Sequence, residues 1–449
     1  MENKKYDAIV VGAGLAGLSC AYYLTSKGKK VLIIEAHDYV GGRTSSFVDH
    51  SMQVESGLHR YIGYYSALPS LLKKCGVKIG DIVTWEEKVD ILIKNKNKKL
   101  VLGLAPLFAP IKTARGILGN NDILTVKDKL SLVPFFISGF CSYAFSDKLD
   151  KYSVTEYANR HRVTDKSKRL VLEPLSSGIF FLPPENYSAY AFFGLFAPAI
   201  PKFYKMRIGA FLGGMTEVMC DPIAEKIRAQ GGNFILGTTV ERVIVKNGAV
   251  IGVKSADGKT FLAPHTVLAA TLPSAKKILS PLKDNNGLKN LFALDTMSAC
   301  TLQLELNKPA LKKDITTFGP GTDMVSFAEQ SRSTFRNLKG RLSVILGNPK
   351  EYTEKNPEII LNIVKKQMKS LGVDLSDSVT DYRKVAERDE FYSLSKGSQR
   401  LRPAQKTNIK GLTLAGDYTL TSSFATMEGA VISGKRAAKA CLKAFSHSK

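Results

Sequence analysis

The sequence predicts an α/β fold in which one domain is assembled from separated pieces of the chain, with a second domain of mixed helices and strands inserted between them. Two observations at the ends of the chain predict the first domain. Residues 6–34 read as strand, glycine-rich turn, helix and strand, and residues 411–445 read as a strand, a glycine-containing turn and a long helix. The less regular middle, which holds two apolar runs, predicts the inserted domain.

The composition is that of a folded protein with more than one domain. The chain has 449 residues, of which 44% are hydrophobic and 23% are charged, so a disordered or collagen-like chain is excluded. At roughly 150 residues per domain, this length predicts two or three domains. Six cysteines lie far apart, without a Cys-x-x-Cys pair or zinc-type spacing. This pattern predicts free thiols in a reducing compartment and no metal site.

The charge balance is strongly basic. The chain carries 64 Lys and Arg against 40 Asp and Glu, a formal net charge of +24. Such a surplus favours a nucleic acid, a membrane surface or an acidic substrate as partner, although a lysine-rich composition accounts for it equally well. No familiar nucleic-acid module is present, so we expect no nucleic-acid partner. Because the charged Met1–Lys5 runs into a strand without a secretory signal, we expect a cytoplasmic protein.

The first motif follows the first strand. Residues 6–11 form a short apolar run, typical of a strand that is buried on both faces, and residues 12–17 (GAGLAG) open the helix that follows. In such a unit Gly12 allows a tight turn and Gly14 lets the backbone approach a diphosphate. Gly17 lets the helix pack on the strand.

An acidic residue ends the second strand of this unit. The strand covers residues 30–34, and Glu35 lies 21 residues beyond Gly14. An acid at this point accepts hydrogen bonds from ribose hydroxyls and disfavours a 2′-phosphate. The first 35 residues therefore predict a Rossmann-like dinucleotide-binding domain, without separating NAD from FAD.

Two further motifs place glycines at turns. Residues 41–44 (GGRT) follow Glu35 closely, and their Arg43 can hold a fixed charge near a diphosphate. Near the C-terminus, residues 415–419 (AGDYT) end a strand, and a helix begins about ten residues later with residues 427–434 (MEGAVISG). A helix N-terminus at this point favours negative charge in front of it.

Together these motifs resemble the FAD-binding amine-oxidoreductase superfamily. The resemblance implies a discontinuous Rossmann-like FAD-binding domain with an inserted mixed α+β substrate domain. It also implies that Asp417 binds the ribityl–phosphate part of FAD, and that the backbone of Val240 holds the adenine. We expect FAD to be bound non-covalently, since no cysteine lies in a pattern known for covalent attachment. The expected cofactor-binding residues are Gly12, Gly14, Leu15, Ala16, Gly17, Glu35, Ala36, Gly42, Arg43, Thr44, Val240, Gly416, Asp417 and Met427.

Within this superfamily the chain most resembles the phytoene/ζ-carotene desaturase group and its relatives that act on squalene-type lipids. Residues 55–59 (ESGLH), followed by Gly63 and Tyr64, resemble the segment that follows the GGR turn in that group. The GDYT…MEGAVISGK segment resembles the end of plant-type carotene desaturases, and residues 401–403 (LRP) also fit. Arg60 departs from the pattern, because an apolar residue is more usual there.

The resemblance implies an enzyme that desaturates a hydrophobic isoprenoid lipid of the phytoene or carotene type. A hydride would pass from an allylic carbon to flavin N5, a neighbouring proton would leave, and the electrons would go on to a quinone or to oxygen. The residues identify neither the particular lipid nor a general base. By position, His59 and Arg60 are the candidates for a catalytic role.

Three alternatives stay open at this point. The first is another flavin enzyme of the same architecture, either a reductive enzyme like hydroxysqualene dehydroxylase or an amine or protoporphyrinogen oxidase. The second is a non-enzymatic prenyl-binding protein, since Rab GDP-dissociation inhibitors use this architecture without flavin. The third is nucleic-acid binding driven by the +24 charge, which lacks support from aromatic and basic motifs.

The resemblance also implies a division into domains. Residues 1–90, 206–285 and 396–449 are expected to form the FAD-binding domain. Residues 91–205 and 286–395 are expected to form the substrate domain, whose first segment would face a membrane.

Two apolar runs, residues 130–145 and 187–201, raise the question of a membrane. Both are shorter than the ~20 apolar residues that a membrane-spanning helix needs. They are therefore expected to be core helices or the lining of a tunnel that opens on a membrane. With the basic charge, they predict peripheral association with the inner face of a membrane. Charged substitutions at Phe135 or Phe193 are accordingly expected to weaken liposome association or lipid turnover.

Overall fold

The computed structural model describes residues 6–96 and 98–446, so the charged Met1–Lys5 lies outside the described residues. In chain order the strands are β1 (Ala8–Val11), β2 (Val31–Ile34), β3 (Ser46–Asp49), β4 (Met52–Glu55), β5 (Tyr61–Ile62), β6 (Val83–Glu86), β7 (Lys88–Leu92), β8 (Lys99–Gly103), β9 (Ile208–Phe211), β10 (Asn233–Ile235), β11 (Val240–Lys246), β12 (Ala249–Ser255), β13 (Thr260–Leu262), β14 (Thr266–Leu268), β15 (Thr296–Leu306), β16 (Thr317–Phe318), β17 (Met324–Glu329), β18 (Gly340–Leu346), β19 (Val379–Tyr392) and β20 (Leu412–Leu414).

Helices connect and cover these strands. They are α1 (Leu15–Thr25), α2 (Ala67–Lys74), α3 (Ile79–Ile82), α4 (Pro110–Leu118), α5 (Val126–Ser142), α6 (Ser146–Leu149), α7 (Val154–Arg160), α8 (Asp165–Ser167), α9 (Glu173–Phe180), α10 (Ala189–Phe196), α11 (Asp221–Ala229), α12 (Leu272–Ile278), α13 (Lys289–Ala293), α14 (Pro349–Thr353), α15 (Pro357–Ser370) and α16 (Met427–Ser446). Shorter 3-10 or π-helical segments span Gly42–Thr44, Lys168–Leu172, Ala197–Lys205, Thr216–Cys220, Ser280–Leu282, Asn286–Leu288 and Gln399–Leu401. The chain therefore has the mixed α/β fold that the sequence predicts.

The first sheet is parallel and gathers strands from distant parts of the chain. Among the described residues its order is β10-β2-β1-β14-β20. Ile9 pairs with Leu32 on one side and with Thr266 on the other. Every residue of β1 and β2 is buried, as a strand covered on both faces requires. The carboxyl ends of these strands meet at one edge, which is where open parallel sheets bind ligands.

Two helices from opposite ends of the chain pack closely beside this sheet. The hydroxyl of Ser19 on α1 donates a hydrogen bond to the carbonyl of Val431 on α16 at 2.9 Å. At Gly434 a Cβ atom would overlap the Ala16 carbonyl oxygen. Glycine is therefore required where α16 crosses α1.

The second sheet is mainly antiparallel. Within the described residues its order is β19-β15-β18-β17-β16-β7-β8, and β16 and β7 form a parallel pair. The domain boundary expected at residue 90 falls inside β7, which pairs with β8 and β16. A small sheet of order β5-β9-β6 lies nearby and pairs Gly209 with both Tyr61 and Trp85.

Helices α5 and α10 contain most of the two apolar runs, and their central side chains are buried. Phe135 and Phe193 are both 0% exposed, with ring centroids 5.1 Å apart. Gly139 leaves room for the Phe193 ring, which a Cβ atom there would overlap. Phe135 and Phe193 therefore belong to the core and not to a membrane-facing surface. Both residues thus fit the first of the two expectations for these runs, core helices, and a charge at either position would destabilise the fold.

The outer side of α5 is apolar but exposed. Val126, Leu130, Val133 and Ile137 follow helical spacing and form one exposed stripe. The segments 111–118 and 200–204 also carry exposed apolar side chains, and we call all of these residues together the apolar face: Ile111, Ile117, Leu118, Val126, Leu130, Val133, Ile137, Ile200, Phe203 and Tyr204. In the part of the chain that the structure describes, none of the helices is both long and apolar enough to cross a membrane.

Candidate active site

A large cavity opens at the carboxyl ends of β1 and β2, and its volume is about 900 Å³. Most residues expected to bind the cofactor line it, namely Gly12, Gly14, Leu15, Ala16, Glu35, Ala36, Gly42, Arg43, Thr44, Val240, Gly416, Asp417 and Met427. Gly17 does not. A Cβ atom at Gly17 would overlap the Gly12 carbonyl oxygen, so Gly17 serves the close packing of α1 on the turn.

The turn between β1 and α1 lines the cavity through Gly12 and Gly14. Gly12 has a φ of +101°, and a Cβ atom there would approach the Ala269 carbonyl oxygen to 2.8 Å, so a side chain is excluded. Helix α1 begins at Leu15 without a side-chain cap, and its first N–H groups have no partner within the helix. Such a helix start suits a diphosphate, because the N–H groups and the helix dipole both favour an anion.

Glu35 is fixed to the wall of the same part of the cavity. Its Oε2 accepts a hydrogen bond from Ala13 N at 2.6 Å, and its Oε1 accepts one from His37 N at 3.0 Å. Each carboxylate oxygen keeps a lone pair for a further donor. The Glu35 carbonyl accepts a hydrogen bond from Thr238 N at 2.8 Å, which brings Val240 to this end. These contacts fit a ribose with an adenine beside it.

Arg43 and Asp417 join the two ends of the chain at the cavity. Nη2 of Arg43 lies 2.7 Å from Oδ1 of Asp417, a residue 374 positions away. Burial alone would lower the pKa of the Arg43 guanidinium, but Asp417 beside it raises that pKa above its usual value. The guanidinium carbon also lies 4.6 Å from the centre of the Phe391 ring. Asp417 therefore keeps the Arg43 guanidinium charged at the cavity wall and balances that charge.

Arg402 supports the turn that carries Asp417. Its side chain is buried, and Nη2 donates hydrogen bonds to the carbonyls of Asp417 at 3.0 Å and Thr419 at 2.6 Å. The hydroxyl oxygen of Thr421 also lies 3.1 Å from this nitrogen. The sequence marked this arginine only as part of the LRP segment, and the structure gives it the role of positioning Asp417.

Strand β19 contributes residues that the sequence did not single out. Glu387, Glu390 and Phe391 line the cavity near Arg43. Burial raises the pKa of the Glu387 carboxyl, and Arg43 opposes this rise. The strand carries no glycine motif, and its alternating side chains are typical of any half-buried strand, so its sequence gave no signal of a site.

Helix α16 reaches the cavity with its first residue, Met427. The next side chain, Glu428, points to α2 and accepts hydrogen bonds from Ala67 N at 2.7 Å and Leu68 N at 2.9 Å. It caps the start of α2, and this contact fixes the direction in which α16 meets the cavity.

His59 holds the backbone next to the Arg43 side chain. Burial lowers the pKa of His59 to about 4, so the ring is neutral at pH 7. Its Nε2 lies 3.0 Å from the Arg43 carbonyl oxygen, and Nε2 carries the proton because a carbonyl can only accept. Nδ1 lies 3.9 Å from Oε2 of Glu55, whose pKa burial raises well above its usual range. This geometry gives His59 a positioning role, and its catalytic role stays a prediction.

We expect a His59→Gln variant to change how stability depends on pH. The folded-state pKa of about 4 lies below the unfolded value of about 6.5, so protonation favours the unfolded chain. The stability due to the neutral ring is complete above pH 6.5 and is lost as the pH falls towards 4. Between pH 7 and pH 5, wild type should lose about 2 kcal/mol more unfolding free energy than the variant. Urea denaturation at each pH measures this difference.

A His50→Gln variant is the matched control, since the His50 side chain is 88% exposed. It should follow the wild type at every pH. If His59→Gln also follows the wild type, the ring is not held neutral by burial and the assigned position is wrong.

The Arg60 guanidinium forms ion pairs with two carboxylates. Its Nε lies 2.6 Å from Oε1 of Glu86, and its Nη2 lies 2.9 Å from Oδ1 of Asp314. Nε also donates to the Thr316 hydroxyl at 3.1 Å. Arg60 and Thr316 line the cavity, but the guanidinium has its charge partners in the protein. Its role as a catalytic candidate remains untested, and the contacts favour a structural role.

The cavity continues beyond the cofactor-type residues into an apolar part. Leucine, isoleucine and phenylalanine side chains form its wall, namely Leu58, Ile62, Leu102, Leu104, Leu175, Ile179, Phe181, Leu195, Phe196, Ile208 and Phe318. Arg207 also lines it, with its guanidinium carbon 3.6 Å from the Trp85 ring centre and 4.0 Å from that of Phe108. Such a wall fits a long apolar molecule.

Comparison with known proteins decides the family. The model of the flavin containing amine oxidoreductases matches residues 15–442. The chain belongs to this family. This flavin-dependent oxidoreductase is 26% identical over 468 residues to 15-cis-phytoene desaturase of Synechococcus elongatus, covering 96% of this chain and 95% of that protein. It is also 26% identical over 474 residues to zeta-carotene desaturase of Synechocystis sp., covering 96% of each.

Solved structures of other oxidoreductases share the fold. Putrescine oxidase bound to putrescine superposes with a TM-score of 0.78 at 15% identity, covering 98% of this chain and 99% of that one. A putative protoporphyrinogen oxidase from Exiguobacterium sp. gives a TM-score of 0.69 at 18% identity, covering 99% and 100%. The resemblance predicted from the sequence is confirmed, and so is its consequence that the chain is an enzyme. Membership favours an enzyme over the non-enzymatic prenyl-binding alternative.

Proposed function

We propose that this oxidoreductase binds FAD non-covalently and desaturates an isoprenoid hydrocarbon of the phytoene or carotene type. The observation that supports it is the continuity of the cavity. A part with backbone N–H groups, Glu35 and Arg43 leads directly into a part walled by apolar side chains. The names of the relatives in Synechococcus and Synechocystis favour this substrate class.

Different residues of the cavity would bind different parts of FAD. The start of α1 would hold the diphosphate, Glu35 the ribose, and Asp417 the ribityl–phosphate part. When bound, FAD supplies a two-electron acceptor for a hydride from an allylic carbon. The described residues leave room for it, because glycine at positions 12 and 14 keeps side chains out of this part of the cavity.

The apolar part of the cavity would orient the lipid and exclude water. A hydrocarbon has no polar handle, so its binding energy comes from burial, at about 0.8 kcal/mol for each CH₂ group. Phe181, Phe196 and Phe318 would set the position of the chain relative to the cofactor part. The charge of Arg60 is balanced by Glu86 and Asp314, so it would not oppose this apolar contact.

The substrate would enter from a membrane through the apolar face. The segment Ala197–Lys205 has one side in the cavity, through Ala199, and another side exposed, through Ile200 and Phe203. A lipid would thus pass from the bilayer to the cavity across a single turn of chain. The proposed location is therefore peripheral, on the inner face of a membrane.

We expect a Leu130→Glu/Ile137→Glu variant to bind vesicles at least about tenfold more weakly than wild type. Both side chains are more than half exposed, and each would lose about 1.5–3 kcal/mol of apolar burial in the lipid. The unfolding free energy should change little, because neither side chain is in the core. Vesicle sedimentation measures the binding.

The matched control is a Val48→Glu/Leu262→Glu variant. These apolar residues are also more than half exposed and lie outside the apolar face, so vesicle binding should be unchanged. Equal loss in both variants would mean that added negative charge, and not the apolar face, governs the binding.

Arg207 favours a second candidate function. Its guanidinium lies between Trp85 and Phe108 and, among the described residues, forms no ion pair. A free donor in an apolar wall favours a ligand that carries an oxygen. The second candidate is thus the reductive one, in which a hydride replaces the hydroxyl group of an isoprenoid alcohol of the hydroxysqualene type, the C–O bond breaks, and the hydroxyl leaves with one proton as water.

One experiment separates the two. Purified holoenzyme in liposomes is mixed without oxygen with phytoene, or with a squalene-type alcohol after the flavin has been chemically reduced. Flavin bleaching by phytoene, with loss of two hydrogens from the lipid by mass spectrometry, supports desaturation. Consumption of the alcohol by the pre-reduced enzyme, without bleaching by phytoene, supports the reductive reaction. If neither result is observed, both candidate functions are overturned.

A further inference from the structure

A smaller cavity of about 300 Å³ lies apart from the active site. Its rim carries basic side chains, and its floor is apolar and buried. The rim residues include Lys96, Lys98, Lys166 and Arg169, and the floor includes Ile123 and Leu170. We call it the basic pocket.

The basic pocket keeps a surplus of positive charge. Asp122 lines it and pairs with Lys98 at 2.8 Å. The nearest ion pair of Lys166 is a 4.0 Å contact with Asp128. Among the described residues, Lys96 and Arg169 form no ion pair within 4.0 Å. The lining thus holds one carboxylate and four cationic side chains, while Asp128 and Glu173 act on Lys166 and Arg169 from outside it. The lining keeps a net positive charge that an anion would balance.

The framework that carries two of these cations is held in place. Arg169 lies on the π-helical turn Lys168–Leu172, which directly follows α8. Helix α8 is tied to the start of α5, since Thr164 donates to Asp128 Oδ1 at 2.7 Å and Ser167 donates to the Asp128 carbonyl at 2.8 Å. A π-helical turn is a rare local widening that is frequent at functional sites. The backbone that carries Lys166 and Arg169 is therefore held in place by these hydrogen bonds.

The basic pocket borders the apolar face. Asp122 and Ile123 lie in the turn between α4 and α5, and this turn separates Leu118, 72% exposed, from Val126, 60% exposed. A molecule with an apolar chain on the face therefore has its polar end near the pocket. Arginine and lysine together suit a phosphate. Arginine binds it through paired hydrogen bonds, and lysine attracts it as a compact charge.

We propose that the basic pocket binds a phosphate group. Its place beside the apolar face favours the headgroup of an anionic phospholipid over a free phosphate ester as the source. This choice of source rests on the proposed membrane association, whereas the phosphate site itself rests on the pocket. Each basic residue near an anionic surface strengthens binding to it by about fivefold.

The test compares vesicles of phosphatidylcholine with vesicles that also contain phosphatidic acid. Wild type should bind the second kind more tightly, and a Lys166→Gln/Arg169→Gln variant should lose roughly tenfold or more of that preference. The control is Lys439→Gln/Lys443→Gln on α16, which removes the same charge at exposed positions away from the pocket. A second arm titrates inorganic phosphate and glycerol 3-phosphate into each protein by calorimetry.

Each outcome decides a part of the proposal. Loss of the preference in the pocket variant alone supports the headgroup. Variant-sensitive binding of free phosphate without a vesicle preference supports the phosphate site and overturns the lipid source. Equal loss in both variants, or no phosphate binding in either arm, overturns the site. None of these readouts needs lipid turnover, so a failure of the proposed desaturation would be seen separately.

Discussion

The Gly14→Val variant is expected to fold and to lose its flavin. Gly14 has φ −70° and ψ 174°, an extended conformation that valine adopts without strain. A Cβ atom there would meet only the Gly41 carbonyl oxygen, at 3.8 Å. The added side chain would stand where a diphosphate must approach the start of α1. Losing two charge-assisted hydrogen bonds, at about 1.5–3 kcal/mol each, predicts FAD affinity weaker by on the order of 100-fold or more.

Two variants bracket this result. Gly80→Val adds the same side chain at an exposed glycine with open space around it, and it should keep the flavin. Gly17→Ala should instead fail to fold, because even a Cβ atom overlaps the Gly12 carbonyl oxygen. The flavin-to-protein ratio after gel filtration and the thermal unfolding of the apoprotein measure the two effects. Stoichiometric flavin in Gly14→Val would show that the diphosphate lies elsewhere.

The Arg402→Met variant is expected to lose about 3 kcal/mol of unfolding free energy. Methionine keeps much of the length of the side chain but removes the donors to the carbonyls of Asp417 and Thr419. These oxygens are then left buried without that partner, and each hydrogen bond to a charged group contributes about 1.5–3 kcal/mol. The Asp417 turn should loosen as well, so FAD affinity should fall together with stability. Denaturant unfolding of the apoprotein measures the first effect.

Arg400→Met is the natural comparison, since Arg400 is exposed two residues away. Its stability should stay within about 0.5 kcal/mol of wild type. If Arg402→Met unfolds at the same denaturant concentration as this control, Arg402 does not stabilise the turn that contains Asp417.

The parts of the site that follow from sequence are those that a local rule governs. Gly12 is predicted because only glycine allows the backbone geometry of this turn, Gly14 because a side chain there would stand in the way of a diphosphate, and Glu35 by its distance along the chain. The glycine spacing that marks Gly12, Gly14 and Gly17 does not tell which of them lines the cavity and which packs behind it. The structure assigns Gly17 to packing, because a Cβ atom there would overlap the Gly12 carbonyl oxygen.

The parts that sequence missed depend on contacts between distant segments. Arg60 reads as a candidate by its place after His59, yet its partners are distant in the chain, Glu86 at the end of β6 and Asp314 in the loop before β16. Phe135 lies in an apolar run that suits either a core or a membrane, and only the packing of α5 on α10 decides for the core. Charge pairing and the choice of buried helix face are set by tertiary structure, which no local pattern specifies.

The joining of the chain ends at the cavity has a consequence for how the protein is made. Ser19 bonds to Val431 across 412 positions, and Arg43 finds its counter-charge in Asp417. While the chain is being synthesised, the first β-α-β unit emerges early but must wait for the last helix before its sheet and cavity are complete. Contacts so distant in sequence make folding slow and leave apolar surface exposed meanwhile. The cofactor can therefore bind only late in folding. Until then the nascent chain exposes apolar surface and is prone to aggregate.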